Sequence, residues 1–132
     1  MNPDPRRLIV LAEDSAELRA LLATALEHVG YRVIQVATGE HLVAVVTQVE
    51  RDHEPLRLIV TDVRMPAMGG LDAARALRAA GNATPVIFMS AWADAITQAR
   101  ARELGAVLLH KPLSIRALRQ EVQKLMPIAA AE

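Results

Sequence analysis

Residues 56–70 read LRLIVTDVRMPAMGG, and this stretch decides how the rest of the chain is interpreted. Residues 56–61 form a largely apolar run, which is typical of a strand covered on both faces. Asp62 ends that run. In the loop that follows, Pro66 stiffens the backbone, while the pair Gly69-Gly70 permits a positive φ and close approach of other groups. The sequence therefore predicts a buried strand that leads one carboxylate into a rigid turn.

The same unit, an apolar run followed by a longer amphipathic segment, occurs five times along the chain. Strict alternation of strands and helices predicts a parallel sheet covered by helices on both faces, which is a doubly wound α/β fold. The run at 32–37 alternates polar and apolar residues and is interpreted as an edge strand. Periodicity alone does not determine the strand order. The five predicted strands are 8–12, 32–37, 56–61, 85–90 and 106–110.

Apolar residues at helical spacing predict which faces of the helices contact the core. The fourth helix, at about 94–104, has the weakest stripe, because only Ile96 and Ala99 are apolar on its predicted face. We expect such a helix to be loosely held or covered by a partner. The stripes of the first, second and last helices are Leu18, Leu21, Leu22, Ala25 and Val29; Leu42, Val45, Val46 and Val49; and Ile115, Leu118, Val122 and Leu125.

Composition limits the class of protein. The 132 residues fit one domain, 1–132, with a short tail at 127–132 and no effector domain. Lys plus Arg and Asp plus Glu both number 15, which weighs against a basic surface for nucleic acid or membranes. There is no cysteine, no signal peptide pattern and no apolar stretch near the roughly 20 residues that span a bilayer. The chain is therefore expected to be soluble and cytoplasmic.

Charged and polar side chains lie where the apolar runs stop: Glu13 and Asp14, Asp62, Ser90 and Lys111. In a parallel sheet the carboxyl ends of the strands meet at one edge, where ligands bind. Three close carboxylates repel one another unless a cation intervenes, and Mg²⁺ prefers such oxygen ligands. A phosphate could then lie between metal, ammonium and hydroxyl, with a carboxylate as nucleophile.

These residues resemble the receiver domain of two-component response regulators, of the single-domain type, over essentially the whole chain. Asp62-Val63-Arg64-Met65-Pro66 followed by Gly70 is similar to the family's D-x-x-M-P-x-x-x-G pattern, and Lys111-Pro112 to its Lys-Pro pair. The resemblance implies a flavodoxin-like (βα)5 fold with strand order 2-1-3-4-5. It also implies that Asp62 is the phosphoacceptor, with Met65, Pro66, Gly70 and Pro112 structural at the site.

The resemblance further implies the ligands of the reaction. Asp14, Asp62 and the backbone carbonyl of Arg64 would bind Mg²⁺, and Glu13 would act through water. Phosphate would contact Ser90, Ala91 and Lys111. The family usually has Tyr or Phe where this chain has Leu108, so signalling through a turning aromatic ring is not expected. Pro112 often follows a cis bond in the family.

The predicted function is to take a phosphoryl group from a histidine kinase or phosphotransfer protein and to signal by protein contacts, without turnover as an enzyme. The surface that contacts the partner protein is expected at helix 4 and strand 5. Neither nucleic acid nor a membrane is expected as a partner. The alternatives are a degenerate receiver, a small Mg²⁺-dependent aspartyl phosphatase and a nucleotide-binding module. Arg64 weakens the phosphatase alternative, because it stands where a second acid is needed.

Three residues have more than one possible role. Asp14 could instead be the N-cap of the first helix. Trp92 is either a loop anchor or part of a partner surface. His110 could have a metal or phosphohistidine role, but it is expected to point away from the side that Lys111 faces, because side chains alternate along a strand.

Overall fold

The computed structural model describes residues 7–92 and 94–127, and it shows five strands alternating with five helices. The predicted tail at 127–132 lies outside the described residues except for Pro127. The strands are β1 (Leu8–Ala12), β2 (Arg32–Val36), β3 (Leu56–Asp62), β4 (Val86–Ser90) and β5 (Val107–His110). The helices are α1 (Ala16–His28), α2 (Gly39–Arg51), α3 (Gly70–Ala79), α4 (Ala95–Glu103) and α5 (Ile115–Leu125).

All strand pairs are parallel, and the sheet has the order β2-β1-β3-β4-β5, so the predicted fold is confirmed. β2 is the edge strand expected from its alternating pattern. The register aligns Ala12 with Thr61, Thr61 with Phe88, and Ser90 with His110. The residues that follow β1, β3, β4 and β5 therefore emerge at the same edge of the sheet.

Two apolar layers lie on opposite faces of the sheet. One layer packs α2, α3 and α4 against Val10, Ile59 and Phe88. The other packs α1 and α5 against Leu11 and Val60 on the opposite side of the same strands. Both faces of the central strands are thus buried, which explains why their sequences are apolar without alternation.

Tyr31 lies fully buried just before β2 and joins that end of the sheet to the end of α5. Its hydroxyl donates to the Met126 backbone carbonyl at 2.8 Å and lies 3.3 Å from Gln123 Oε1. Burial raises the pKa of this phenol above its usual 10.0. One of the few aromatic residues of the chain therefore fixes the last turn of α5.

The predicted helix faces were wrong at four positions, one of which is Ala99, an exposed residue of α4. Leu21 is 57% exposed, Leu125 is 43% exposed and Ile96 is 64% exposed. In α4 the buried side chains are instead Thr97 and Ala101. Small residues allow this short helix to lie close to the sheet, so its largest apolar side chain faces outward.

Four of the five helices, all except α3, begin at polar caps. Ser15, Thr38, Asp94 and Ser114 each accept a hydrogen bond from a backbone N–H three residues on. The alternative role of Asp14 as the cap of α1 is therefore wrong, since Ser15 is that cap. None of the helices in the described part of the chain is long and apolar enough to cross a membrane.

Candidate functional site

Three carboxylates form an acidic cluster at the carboxyl edge of the sheet. Glu13 and Asp14 follow β1, Asp62 ends β3, and one oxygen from each lies within 4.8 Å of the others. Glu13 and Asp62 are buried, whereas Asp14 is exposed. A hydrogen bond with Glu13 raises the pKa of Asp14, and partial burial and repulsion from Glu13 act in the same direction. The acidic cluster is therefore the close set of like charges that the sequence predicted.

Lys111 is the cation that contacts the acidic cluster. It follows β5 and precedes Pro112 through a cis peptide bond. Its Nζ donates to Glu13 Oε1 at 2.7 Å and to Asp62 Oδ2 at 2.5 Å. Burial lowers the pKa of Lys111, but the hydrogen bonds and the charges of Asp62 and Glu13 outweigh burial, so the net pKa is raised above 10.5. The ammonium is thus fully charged at neutral pH.

Glu13 is held by hydrogen bonds at both its backbone and its side chain. Its N–H donates to the Val36 carbonyl at 3.1 Å, which joins it to β2. The Ser15 N–H donates to its Oε2 at 3.0 Å, and Arg19 Nη1 donates to its backbone carbonyl at 2.8 Å. These bonds fix the turn between β1 and α1. Sequence patterns did not indicate the role of Arg19, because its partner is a backbone carbonyl.

The loop from β3 to α3 is packed too tightly to admit extra side chains. A Cβ atom on Gly70 would collide with the Asp62 carbonyl, and one on Gly69 would collide with the Val63 carbonyl. The Gly70 N–H also donates to the Val63 carbonyl at 2.9 Å. Met65 is buried, and Pro66 is exposed. The loop therefore holds the backbone beside Asp62 in one arrangement.

Arg64 lies in that loop next to the phosphoacceptor candidate. Its backbone N–H donates to Asp62 Oδ1 at 3.2 Å, while its side chain is exposed. Both oxygens of Asp62 thus have a donor, Arg64 N–H on one side and Lys111 on the other. The carboxylate is oriented by its neighbours before any ligand arrives.

Ser90 ends β4 beside the cluster, but its hydroxyl bonds to the following loop. Its Oγ donates to the Trp92 carbonyl at 2.9 Å and accepts from the Trp92 N–H at 3.0 Å. A cleft of about 140 Å³ lies between this loop and the acidic cluster. Its lining residues are Asp62, Arg64, Ser90, Ala91, Trp92 and Lys111.

The remaining predicted positions lie around the cleft or behind it. Leu108 is half-buried and packs against the layer that contains α4, so an aliphatic side chain occupies the position of the family's aromatic residue. His110 is exposed. Trp92 is 66% exposed, which excludes the alternative that its ring anchors the loop in the core.

The acidic cluster fits a hard divalent cation. It offers carboxylate oxygens from three residues in one small space, and these are the ligands that Mg²⁺ prefers. The raised pKa of Asp14 shows the electrostatic cost that a cation would relieve. The residues present therefore match the chemistry of the group that the resemblance implies.

Comparison with known proteins identifies the family. A sequence profile of the response regulator receiver domain matches residues 9–123, and the chain belongs to this family. It is 32% identical over 120 residues to the response regulator receiver protein CpdR of Brucella abortus, covering 89% of this chain and 95% of CpdR. The predicted family is confirmed.

Other similar proteins differ in length. A probable transcriptional regulatory protein of Picosynechococcus is 34% identical over 113 residues, which cover 83% of this chain but 45% of that protein. The chain thus spans less than half the length of this relative. The receiver domain of the Francisella response regulator 1452 superimposes with a TM-score of 0.80 at 24% identity, covering 90% of this chain and 95% of that domain, and it supports the fold.

Proposed function

We propose that the chain accepts a phosphoryl group on the carboxylate of Asp62, from a phosphohistidine of a kinase or phosphotransfer protein. The observation that carries the proposal is the position of Asp62, which ends β3 within the acidic cluster and has its Oδ2 2.5 Å from Lys111 Nζ. A carboxylate oriented by two donors, beside an open cleft, is suited to in-line attack on phosphorus.

In the transfer, an oxygen of Asp62 forms a bond to phosphorus as the bond between phosphorus and the histidine nitrogen breaks. The electron pair of that bond returns to the imidazole, which leaves as a neutral ring because its other nitrogen already carries a proton. Lys111 lies where it can neutralise the phosphoryl oxygens. Ser90 can donate to one of them only after its hydroxyl hydrogen turns away from the Trp92 carbonyl. Water later attacks the phosphorus and releases inorganic phosphate, and the Asp62 carboxylate is the leaving group. The proposed role is that of a phosphoacceptor and not of an enzyme that turns over a separate substrate.

The metal belongs to the same proposal. Mg²⁺ would be held by Asp14, Asp62 and the Arg64 carbonyl, with Glu13 acting through water, and would supply charge neutralisation for the phosphoryl oxygens. Because the pKa of Asp14 is raised, protons compete with the metal at this carboxylate from a higher pH than for an ordinary Asp. Metal affinity should fall as the pH is lowered through that pKa.

The output is proposed to be binding of another protein at the face formed by α4 and β5. Trp92 and Ile96 are 66% and 64% exposed, and they lie on the segment that Ser90 contacts. Aromatic residues such as Trp are enriched where proteins contact one another. The surface formed by these two residues is called the Trp92–Ile96 surface below.

The chemistry is tested by incubating the protein with Mg²⁺ and acetyl phosphate and measuring its mass. We expect a phosphoryl adduct in the wild type and none with EDTA or in Asp62→Asn. Asp72→Asn, which changes an exposed carboxylate in the first turn of α3, serves as the matched control and should still be modified. An unmodified wild type that nevertheless binds Mg²⁺ would favour the degenerate receiver instead.

A further inference from the structure

Arg19 lies in the first turn of α1 and reaches back across the turn between β1 and α1. Its Nη1 donates to the backbone carbonyl of Glu13 at 2.8 Å. This carbonyl belongs to the peptide group that joins Glu13 to Asp14. The guanidinium therefore binds the backbone between two members of the acidic cluster.

That peptide group determines where the Asp14 carboxylate lies relative to its neighbours. Glu13 is already fixed by Val36, Ser15 and Lys111. Asp14 is exposed, and one of its carboxylate oxygens lies within 4.8 Å of oxygens of the like-charged Glu13 and Asp62. Rotation of the peptide between them would carry Asp14 away from the cluster, and repulsion favours that movement. The bond from Arg19 opposes it.

Helix electrostatics give no reason for an arginine at this position. The first turn is the positive end of the helix dipole, where cations are unfavourable. Helix α1 already has its N-cap in Ser15 and an acid in the first turn, Glu17. The guanidinium instead donates a hydrogen bond to the turn that contains Glu13 and Asp14. This bond gives a reason for an arginine at position 19.

We propose that Arg19 is a positioning residue for the cation site, holding Asp14 where it can share a metal with Asp62. This inference rests on the proposed function. Residues that orient metal ligands change metal affinity by about 10–100-fold when removed. A purely electrostatic effect has the opposite sign, because loss of a positive charge near the site would strengthen cation binding.

The test is a calorimetric titration with Mg²⁺ of the wild type, Arg19→Met, Arg19→Lys and the control Arg75→Met, which changes an exposed arginine of α3. We expect the Kd of Arg19→Met to rise about 10-fold or more. Arg19→Lys should lie between it and the wild type, because lysine keeps the positive charge but its shorter side chain places the donor farther from the Glu13 carbonyl. Arg75→Met should match the wild type.

Urea unfolding in EDTA separates positioning from stability. A lower unfolding midpoint of Arg19→Met with an unchanged Kd overturns the proposal, and so does tighter binding by Arg19→Met. Should Arg19→Met fail to fold, Arg19→Lys decides alone: a Kd equal to that of the wild type counts against positioning by the hydrogen bond from Arg19 Nη1. A wild type that binds no Mg²⁺ would overturn the metal part of the proposed function itself, which is a distinguishable outcome.

Discussion

The two halves of the carboxyl edge of the sheet are built differently. At the ends of β1 and β3, Glu13 and Asp62 are buried and bonded to Lys111 at 2.7 and 2.5 Å. At the end of β4, Ser90 leads into the Trp92–Ile96 surface, where both large side chains are mostly exposed. One half consists of buried charges held by directional bonds, and the other of apolar side chains in water. The first is suited to chemistry, and the second to recognition.

Helix α4, which belongs to the second half, buries few side chains against the sheet. Only Thr97 and Ala101 are buried among the described side chains of that helix. By contrast, Arg78 of α3 holds its far end, donating to the carbonyl of Leu104, the C-cap of α4, at 3.3 Å. The same guanidinium donates to the carbonyls of Asn82 and Thr84 at 3.2 and 2.8 Å. Arg78 therefore joins the Leu104 end of this half to α3 and to the loop that follows α3.

The largest expected effect comes from removing the cation of the charged half. Lys111→Met would leave Glu13 and Asp62 buried without a counterion, and breaking a buried pair in this way costs about 3 kcal/mol of unfolding free energy. Urea unfolding at pH 7 in EDTA measures this loss. Added Mg²⁺ should restore part of it, because the metal replaces the lost charge. Lys124→Met is the matched control, since Lys124 is 71% exposed and should change stability by less than about 0.5 kcal/mol.

The pH dependence of that loss has a defined sign. The pKa of Lys111 is raised in the folded state, so its stabilising contribution is complete below 10.5 and is lost as the pH rises through the folded value. The difference between the wild type and Lys111→Met should therefore shrink at alkaline pH. A difference that stays constant from pH 7 to beyond that value would contradict the assigned ion pairs.

An intermediate effect is expected from freeing the Leu104 end of α4. Arg78→Met removes a charged donor from three backbone carbonyls, and we expect a loss of about 2 kcal/mol. Denaturant unfolding measures the loss, with Arg75→Met as the exposed control on α3. Hydrogen exchange should also speed up in α4 more than in α1. Equal acceleration in both helices would show that Arg78 stabilises the whole fold and not this attachment.

The smallest effect on stability is expected at the Trp92–Ile96 surface. Trp92→Ala and Ile96→Ala should each change the unfolding free energy by less than about 0.5 kcal/mol, because the side chains are already in water. Phosphorylation of Asp62 by acetyl phosphate should proceed as in the wild type. Binding to a cognate partner, measured by calorimetry, should weaken in both variants. If either variant lost phosphorylation but still bound the partner, the assignment of chemistry to the charged half and of recognition to the Trp92–Ile96 surface would be wrong.

Much of this arrangement could be predicted because parallel strands impose simple rules. Continuous apolar runs identify buried strands, and polar residues at the ends of those runs must share an edge. That reasoning placed Glu13, Asp14, Asp62 and Lys111 together, and the structure has them in contact or within one cluster. The family resemblance added the strand order, which periodicity does not contain.

The features that were missed depend on backbone partners and on close packing. Arg19, Arg78 and Tyr31 all donate hydrogen bonds to backbone carbonyls. Every residue has such a carbonyl, so the amino-acid sequence does not indicate which one is the partner. Ile96 was assigned to a buried face because it is apolar, whereas the buried residues of α4 are the smaller Thr97 and Ala101. The hydrogen bond between Ser90 and the Trp92 backbone was also missed, because it joins residues two positions apart and produces no periodic pattern in the sequence.

The crowded glycines suggest how the chain responds to random mutation. Gly39, Gly69 and Gly70 each face a backbone carbonyl so closely that even a methyl group would collide with it. None carries a group that could react or bind a ligand. In a saturation mutagenesis survey scored by function, these positions should tolerate substitution as poorly as Asp62 does. Variants would therefore be depleted both at positions where a side chain does not fit and at positions where a reactive group is required. A separate measurement of the amount of folded protein would distinguish these two causes.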